Sequence, residues 1–181
     1  RAGDGVSRRW LEIRYGRSCQ WMLNPTNWVS SFLEKKTVLS AGLIVANSEM
    51  VARDMRGAYP RERDKIKVIR NGFDPTRFHP DSSDALECFD LPASSRIILF
   101  LGSGWERKGL SHALLFFAEL CRRDSAWSEH GVLVVAGKGK SRSYQRKAEG
   151  LGVGKQVRFL GTVSSPEDLC RLAELMVLPT S

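Results

Sequence analysis

Three short loops hold the residues of this 181-residue chain whose types and spacing could do chemistry. The first reads Gly102-Ser103-Gly104-Trp105-Glu106-Arg107-Lys108-Gly109, early glycines followed by two cations, set between an unbroken apolar run and a segment with helical spacing. That combination suits an anion. Glycines let backbone N–H groups approach a phosphate, a helix N-terminus adds partial positive charge, and Arg107 or Lys108 can neutralise oxyanions. The loop is neither familiar phosphate fingerprint, because GxGxxG needs glycine where Arg107 stands and a Walker A loop needs Gly-Lys-Ser/Thr where Lys108-Gly109 stands. Its plain alternative is a solvated loop with surface cations. The second loop, Gly137-Lys138-Gly139-Lys140-Ser141, ends like a P-loop, but the glycine required five positions before Gly139 is Val134, so an NTPase is set aside. What remains there is a strand-end turn with basic residues near a phosphate. The third, Gly161-Thr162-Val163, offers only backbone groups, which can read a nucleobase edge or make an ordinary turn.

Other chemistry finds little support. No Ser-His-Asp or Cys-His arrangement can be assembled locally, and His79, His112 and His130 are scattered. His112 falls off the Leu110 and Leu114 stripe and is expected to be an exposed helical histidine. Cys19, Cys88, Cys121 and Cys170 lie far apart with no CxxC pair, which sets aside zinc and a disulfide framework and points to the cytoplasm. One carboxylate stands out: Asp4, between Gly3 and Gly5, is a candidate exposed group at a strand end, with a turn-forming aspartate as the alternative.

The elements that must position these loops can be read from periodicity. The composition, 42% hydrophobic and 27% charged, is that of a folded chain, and no apolar run is long enough to span a bilayer. Up to about residue 40 the chain is dense in Arg and aromatics and reads as helix broken near Asn24-Pro25, its tryptophans packing inward unless the surface serves anionic lipid or nucleic acid. A strand over 42–48 precedes a helix capped by Ser48 and anchored by Met50, Val51, Met55 and Ala58, and Ile66 to Ile69 alternates like a strand before Asn71-Gly72. Residues 74–95, with Pro75, Pro80 and Pro92, read as a linker. Beyond it come strands at Arg96 to Leu101, Val132 to Ala136 and Val157 to Leu160, and a fourth starting at Met176. They alternate with helices at 110–121 and 141–149 and one opened by Ser165-Pro166 that carries Leu169, Leu172, Ala173 and Met176. Such alternation predicts an α/β fold with a parallel sheet, whose ligands bind at the carboxyl ends of the strands. The chain begins without Met and stops after a strand-like run, so it reads as a fragment.

Taken together, Val68-Ile69-Arg70-Asn71-Gly72-Phe73-Asp74, Phe78-His79-Pro80, the Gly102 to Gly109 loop, Val134-Val135-Ala136-Gly137 and Val157 to Gly161 follow one order and spacing that resembles the GT-B glycosyltransferases of family 4. That resemblance implies two Rossmann-like domains, both incomplete: residues 1–73 as the rear of the N-terminal, acceptor-side domain, 74–95 as the linker, and 96–181 as the front of the nucleotide-sugar domain. It implies transfer of a sugar, expected to be glucose, from a UDP-sugar with retention at the anomeric carbon and no bound metal or other cofactor. The acceptor would be a lipopolysaccharide or another cell-envelope glycan, and the enzyme peripheral on the inner face of the cytoplasmic membrane.

By the same resemblance Lys108 holds the donor diphosphate and stabilises the leaving group, with Arg107 a weaker partner, while Ser103 stands where many members carry Arg. Gly102, Ser103, Gly104 and Lys138 would join Lys108 and Arg107 in binding the donor, and Gly137, Gly161, Thr162 and Val163 would line its base and ribose side. Asp4 matches an Ala-x-Asp segment and joins the catalytic set. The family's Glu-x7-Glu motif is expected beyond Ser181, so the 181 residues alone are expected to be inactive. The rivals are a GT-B sugar-nucleotide epimerase, a basic nucleic-acid-binding domain, and a structural partner domain; the transferase reading expects no nucleic acid.

Overall fold

The computed structural model describes Val6 and residues 24–79, 89–92 and 94–180. Its contacts divide into two compact units, Arg1–Phe73 and Asp74–Ser181.

In the first unit, helix α1 (Pro25–Ser40) starts where the sequence predicts a break. The Asn24 side chain accepts the Thr26 N–H at 3.0 Å, and Pro25 occupies a first-turn position where its missing donor costs nothing. Strand β1 (Ile44–Ala46), helix α2 (Glu49–Ala58), a short 3-10 turn (Pro60–Lys65) and strand β2 (Ile66–Val68) follow. The strands pair in parallel, Ile44 beside Ile66 and Ala46 beside Val68, with α2 as the crossover that parallel pairing requires. Ser48 caps α2 as expected, its hydroxyl accepting the Val51 N–H at 3.3 Å. Two expected anchors do not hold: Met50 is 67% exposed and Ala58 is exposed, whereas Val51, Ala52 and Met55 are buried with Ile44, Ala46 and Ile66. At 100° per residue those three share one face of α2, which turns Met50 away. Trp28 does not pack inward either, being 56% exposed beside exposed Val29, Phe32 and Leu33. Most of the Arg-rich and aromatic opening lies outside the described residues.

The second unit holds strands β3 (Arg96–Leu101), β4 (Gly131–Ala136), β5 (Val157–Gly161) and β6 (Leu175–Met176) and helices α3 (Leu110–Arg123), α4 (Ser125–His130), α5 (Ser141–Gly150) and α6 (Pro166–Leu172). The sheet is parallel throughout, in the order β5-β4-β3-β6. Both faces are covered, which explains the unbroken apolar runs. Ile98, Phe100, Leu133 and Val135 point to one side with Leu110, Leu114 and Phe117 of α3 and Ala148 of α5. Ile97, Leu99, Val132 and Val134 point to the other with Leu91 and Leu169. Leu91 thus places part of the 74–95 stretch in this core. Arg77, from the same stretch, bonds Glu167 through Nε and Nη2 at 3.1 and 2.8 Å, and Arg171 donates to the Arg77 carbonyl at 3.0 Å. The Arg77 guanidinium holds the Glu167 carboxyl below its usual range.

Two boundaries differ from expectation. Met176 lies in β6, where the fourth strand was expected, and not also on α6, because the helix ends at Leu172 and the Glu174 and Val177 N–H groups bond the Ile97 and Leu99 carbonyls of β3. Ser165 occupies the N-cap position of α6 without a side-chain cap bond; the Asp168 N–H bonds its backbone carbonyl at 3.3 Å instead.

Candidate functional site

The sheet order brings the three loops side by side, since β5, β4 and β3 are adjacent and all point the same way. The ladder runs on past the strand ends: the Gly102 N–H donates to the Ala136 carbonyl at 2.8 Å and the Gly137 N–H to the Gly161 carbonyl at 2.6 Å. Glycine is demanded at two of these positions. Gly102 and Gly137 have φ of +140° and +125°, and a Cβ on Gly137 would fall on the Gly102 carbonyl group. A further tie comes from Ser103, whose hydroxyl accepts the Lys138 N–H at 3.0 Å.

Beyond Ser103 the first loop winds on its own backbone. The Lys108 N–H bonds the Gly104 carbonyl, the Gly109 N–H that of Glu106 and the Leu110 N–H that of Trp105, at 3.0, 3.1 and 2.9 Å. Gly109, at φ +75°, starts α3 and accepts the His112 and Ala113 N–H groups. The winding turns the Lys108 side chain back over the strand end. Its Nζ lies 3.5 Å from the Leu101 carbonyl, half-buried, where a Cβ on Gly102 would occupy its place.

This geometry refines the anion argument. The N–H groups of Gly102, Gly137, Lys108 and Lys138 are already bonded within the fold, as are those of Leu110, His112 and Ala113 in the first turn of α3. Those glycines therefore contribute close approach of backbones rather than amide donors. The positive charge that an anion would meet comes from Lys108, from exposed Arg107 and Lys138, and from the end of α3.

The remaining candidates fall as follows. Ser103 and Gly104 are exposed at the mouth of the first loop. Gly161 has φ +68°, Thr162 is exposed, and Val163 packs half-buried against the core. His112 is exposed, as its helical position predicts. Asp4 lies outside the described residues. Among the described residues no three of His, Cys, Asp and Glu stand close enough together to hold a metal ion. In the first unit, a cavity of about 550 Å³ lined by Val45, Ile69, Arg70, Asn71 and Gly72 opens at the carboxyl ends of β1 and β2.

Sequence reasoning missed two groups. Trp105 is 4% exposed inside an otherwise polar loop, and Pro179 presses its backbone against Gly109 so closely that a Cβ there would strike its carbonyl. The indole was legible only as an apolar residue out of place in the loop. Pro179 left no signal, its partner being 70 positions away.

Comparison with known proteins adds a family. The model described as Glycosyl transferases group 1 matches residues 87–181, and that described as Glycosyltransferase Family 4 matches residues 9–77. Curated relatives include the D-inositol 3-phosphate glycosyltransferases of Nocardia farcinica, 32% identical over 157 residues, and of Salinispora tropica, 28% identical over 162; each alignment covers 81% of this chain. The chain spans about a third of the length of these relatives, 34% in both cases. Among solved structures, WaaG, a glycosyltransferase involved in lipopolysaccharide biosynthesis, superposes with a TM-score of 0.80 at 18% identity, covering 98% of this chain and 48% of WaaG. HepE of Anabaena, in complex with UDP and glucose, gives 0.66 at 20% identity over 87% of this chain and 42% of its own. At those identities the likeness is one of fold, and the fold is that of the GT-B glycosyltransferases.

Proposed function

The chain belongs to the glycosyl transferases group 1 family, and from that premise we propose that it moves a sugar from a nucleotide-sugar donor to an acceptor hydroxyl, with Lys108 at the donor diphosphate. The observation that carries the reading is the placement of Lys108 Nζ over the end of β3, against Gly102, whose carbonyl group in turn abuts Gly137 at the end of β4. In the transfer, the acceptor oxygen takes the anomeric carbon, that carbon's bond to the diphosphate oxygen breaks with the electron pair staying on the diphosphate, and the acceptor proton passes to the departing nucleoside diphosphate. Negative charge grows on the diphosphate as its bond breaks. An ammonium already fixed opposite it stabilises that charge without reorganisation. Arg107, exposed on the same loop, supplies a second cation, and Ser103 ties the first two loops together. Gly137 and residues 161–163 line the nucleoside side.

UDP is the nucleotide and glucose the sugar in this proposal. Support comes from the fold shared with HepE, whose complexes hold UDP with glucose and UDP-glucose. The acceptor is a lipopolysaccharide or another cell-envelope glycan, supported by the fold shared with WaaG, and the transfer retains anomeric configuration, as the family resemblance implies. Asp4 enters the catalytic set on that resemblance alone.

Calorimetric titration with UDP tests the core of the reading. Lys108→Ala is expected to weaken UDP binding about 10- to 100-fold, the worth of one charge-assisted hydrogen bond, while Lys108→Arg keeps part of it. Unchanged affinity in Lys108→Ala overturns the assignment. Tight RNA binding that falls steeply with salt, with no preference for UDP, would favour the nucleic-acid reading, and isomerisation of a UDP-sugar without acceptor would favour the epimerase.

A further inference from the structure

We infer that Trp105 is a positioning residue: its buried indole clamps the loop that carries Lys108 to the loop after β4, so that nucleotide affinity depends on the Trp105–Gly139 contact. The inference rests on the reading of Lys108 as the diphosphate-binding group.

Between Gly102 and Lys108, Trp105 is the one residue whose side chain enters the core; Ser103, Gly104, Glu106 and Arg107 are exposed. The loop is therefore held by one buried side chain, beside the exposed Ser103–Lys138 hydrogen bond at its mouth. Its backbone is fastened at the same residue, through the Leu110 N–H on the Trp105 carbonyl. The indole reaches across to the elements that flank the other two loops. Tyr144 of α5 meets it edge-on at 5.7 Å between ring centroids and 82°, and Phe159 of β5 lies tilted at 5.8 Å and 47°. In the second loop, a Cβ on Gly139 would land on the Cδ2, Cε2 and Cε3 atoms of the indole, so the Gly139 backbone lies directly on the ring. One side chain thus touches the second loop and the helix and strand beside it, while its own loop ends in Lys108.

The indole N–H gives an independent reason to assign a role. Trp105 Nε1 is buried and has no hydrogen-bond partner among the described residues. An unpaired buried donor destabilises the fold, so stability alone would favour phenylalanine at this position. What the indole supplies beyond phenylalanine is area, enough to cover Gly139 while meeting Tyr144 and Phe159.

The test is a double-mutant cycle on UDP affinity, read by calorimetry at a temperature where circular dichroism shows each variant folded. Trp105→Leu is expected to weaken UDP binding about ten-fold, and Trp105→Phe by only a few-fold. In the Lys108→Ala background, Trp105→Leu should cost little more, because both losses pass through the same ammonium. If Trp105→Leu does not fold, Gly139→Ala approaches the contact from the exposed loop: it should weaken UDP binding, and adding Trp105→Phe, a smaller ring, should restore part of the loss. Full additivity of Trp105→Leu with Lys108→Ala, or unchanged affinity in both Trp105→Leu and Gly139→Ala, overturns the clamp. Unchanged affinity in Lys108→Ala alone instead sinks the assignment of Lys108, and with it the route by which Trp105 acts.

Discussion

Gly137 makes a sharp demand on residue type in the site, and Gly104 makes a weaker one that looks identical in the sequence. Both have positive φ, +125° and +75°, but a Cβ on Gly137 would collide with the Gly102 carbonyl group whereas one on Gly104 would meet nothing within 4 Å. Gly104→Ala therefore carries backbone strain alone, about 1–2 kcal/mol. Gly137→Ala carries that strain and a steric overlap with the neighbouring strand end, where neither backbone can yield without breaking the Gly102–Ala136 and Gly137–Gly161 hydrogen bonds. Urea unfolding should show the larger loss for Gly137→Ala; equal losses would mean that the loops yield more easily than this packing implies. The residue types of the site were legible in the sequence as glycines and cations at strand ends. Their division of labour was not, because it depends on neighbours about 35 positions away: Gly102 against Gly137, and Ser103 against Lys138.

Two serines read alike at the level of elements and behave differently. Ser48 and Ser165 each precede a helix with an acid in its first turn, yet only the Ser48 hydroxyl accepts a helical N–H. Ser48→Ala should therefore cost about 1 kcal/mol, the usual worth of an N-cap. Ser165→Ala should fall within about 0.5 kcal/mol of the parent, as changes that remove no specific contact do. Matched thermal melts decide it, and a larger loss at Ser165 would mean that its hydroxyl caps α6 after all. Local signals placed the strands and helices well because the apolar runs of β3 and β4 are buried on both faces and the α3 stripe recurs at helical spacing. They failed at Met50 and at the end of α6 for one physical reason. What an element keeps depends on the partner it meets: Val51, Ala52 and Met55 take the buried face of α2, and α6 stops short of Met176 because the Glu174 and Val177 N–H groups find β3.

For the molecule as a whole, the net charge of +8 describes attraction to any polyanion and cannot choose between a nucleotide and RNA. Hydrogen exchange can choose, because the two readings protect different backbone. If UDP binds at the loops of the second unit, binding adds to that unit's stability by linkage, about 2.7 kcal/mol at a ligand concentration one hundred times the dissociation constant. Amides of β3, β4 and β5 that exchange only when this unit opens should then slow by up to about 100-fold. Protection should be strongest around 102–109, 137–140 and 161–163, while β1 and β2 amides in the first unit keep their rates. Added salt should leave the pattern in place, since a half-buried Lys108 is screened less than an exposed charge. RNA acting through the exposed cations would instead give shallow protection spread over the Lys- and Arg-bearing surfaces of both units and lost as salt rises. No slowing of the second unit at saturating UDP would remove the donor site from these loops, whatever the family.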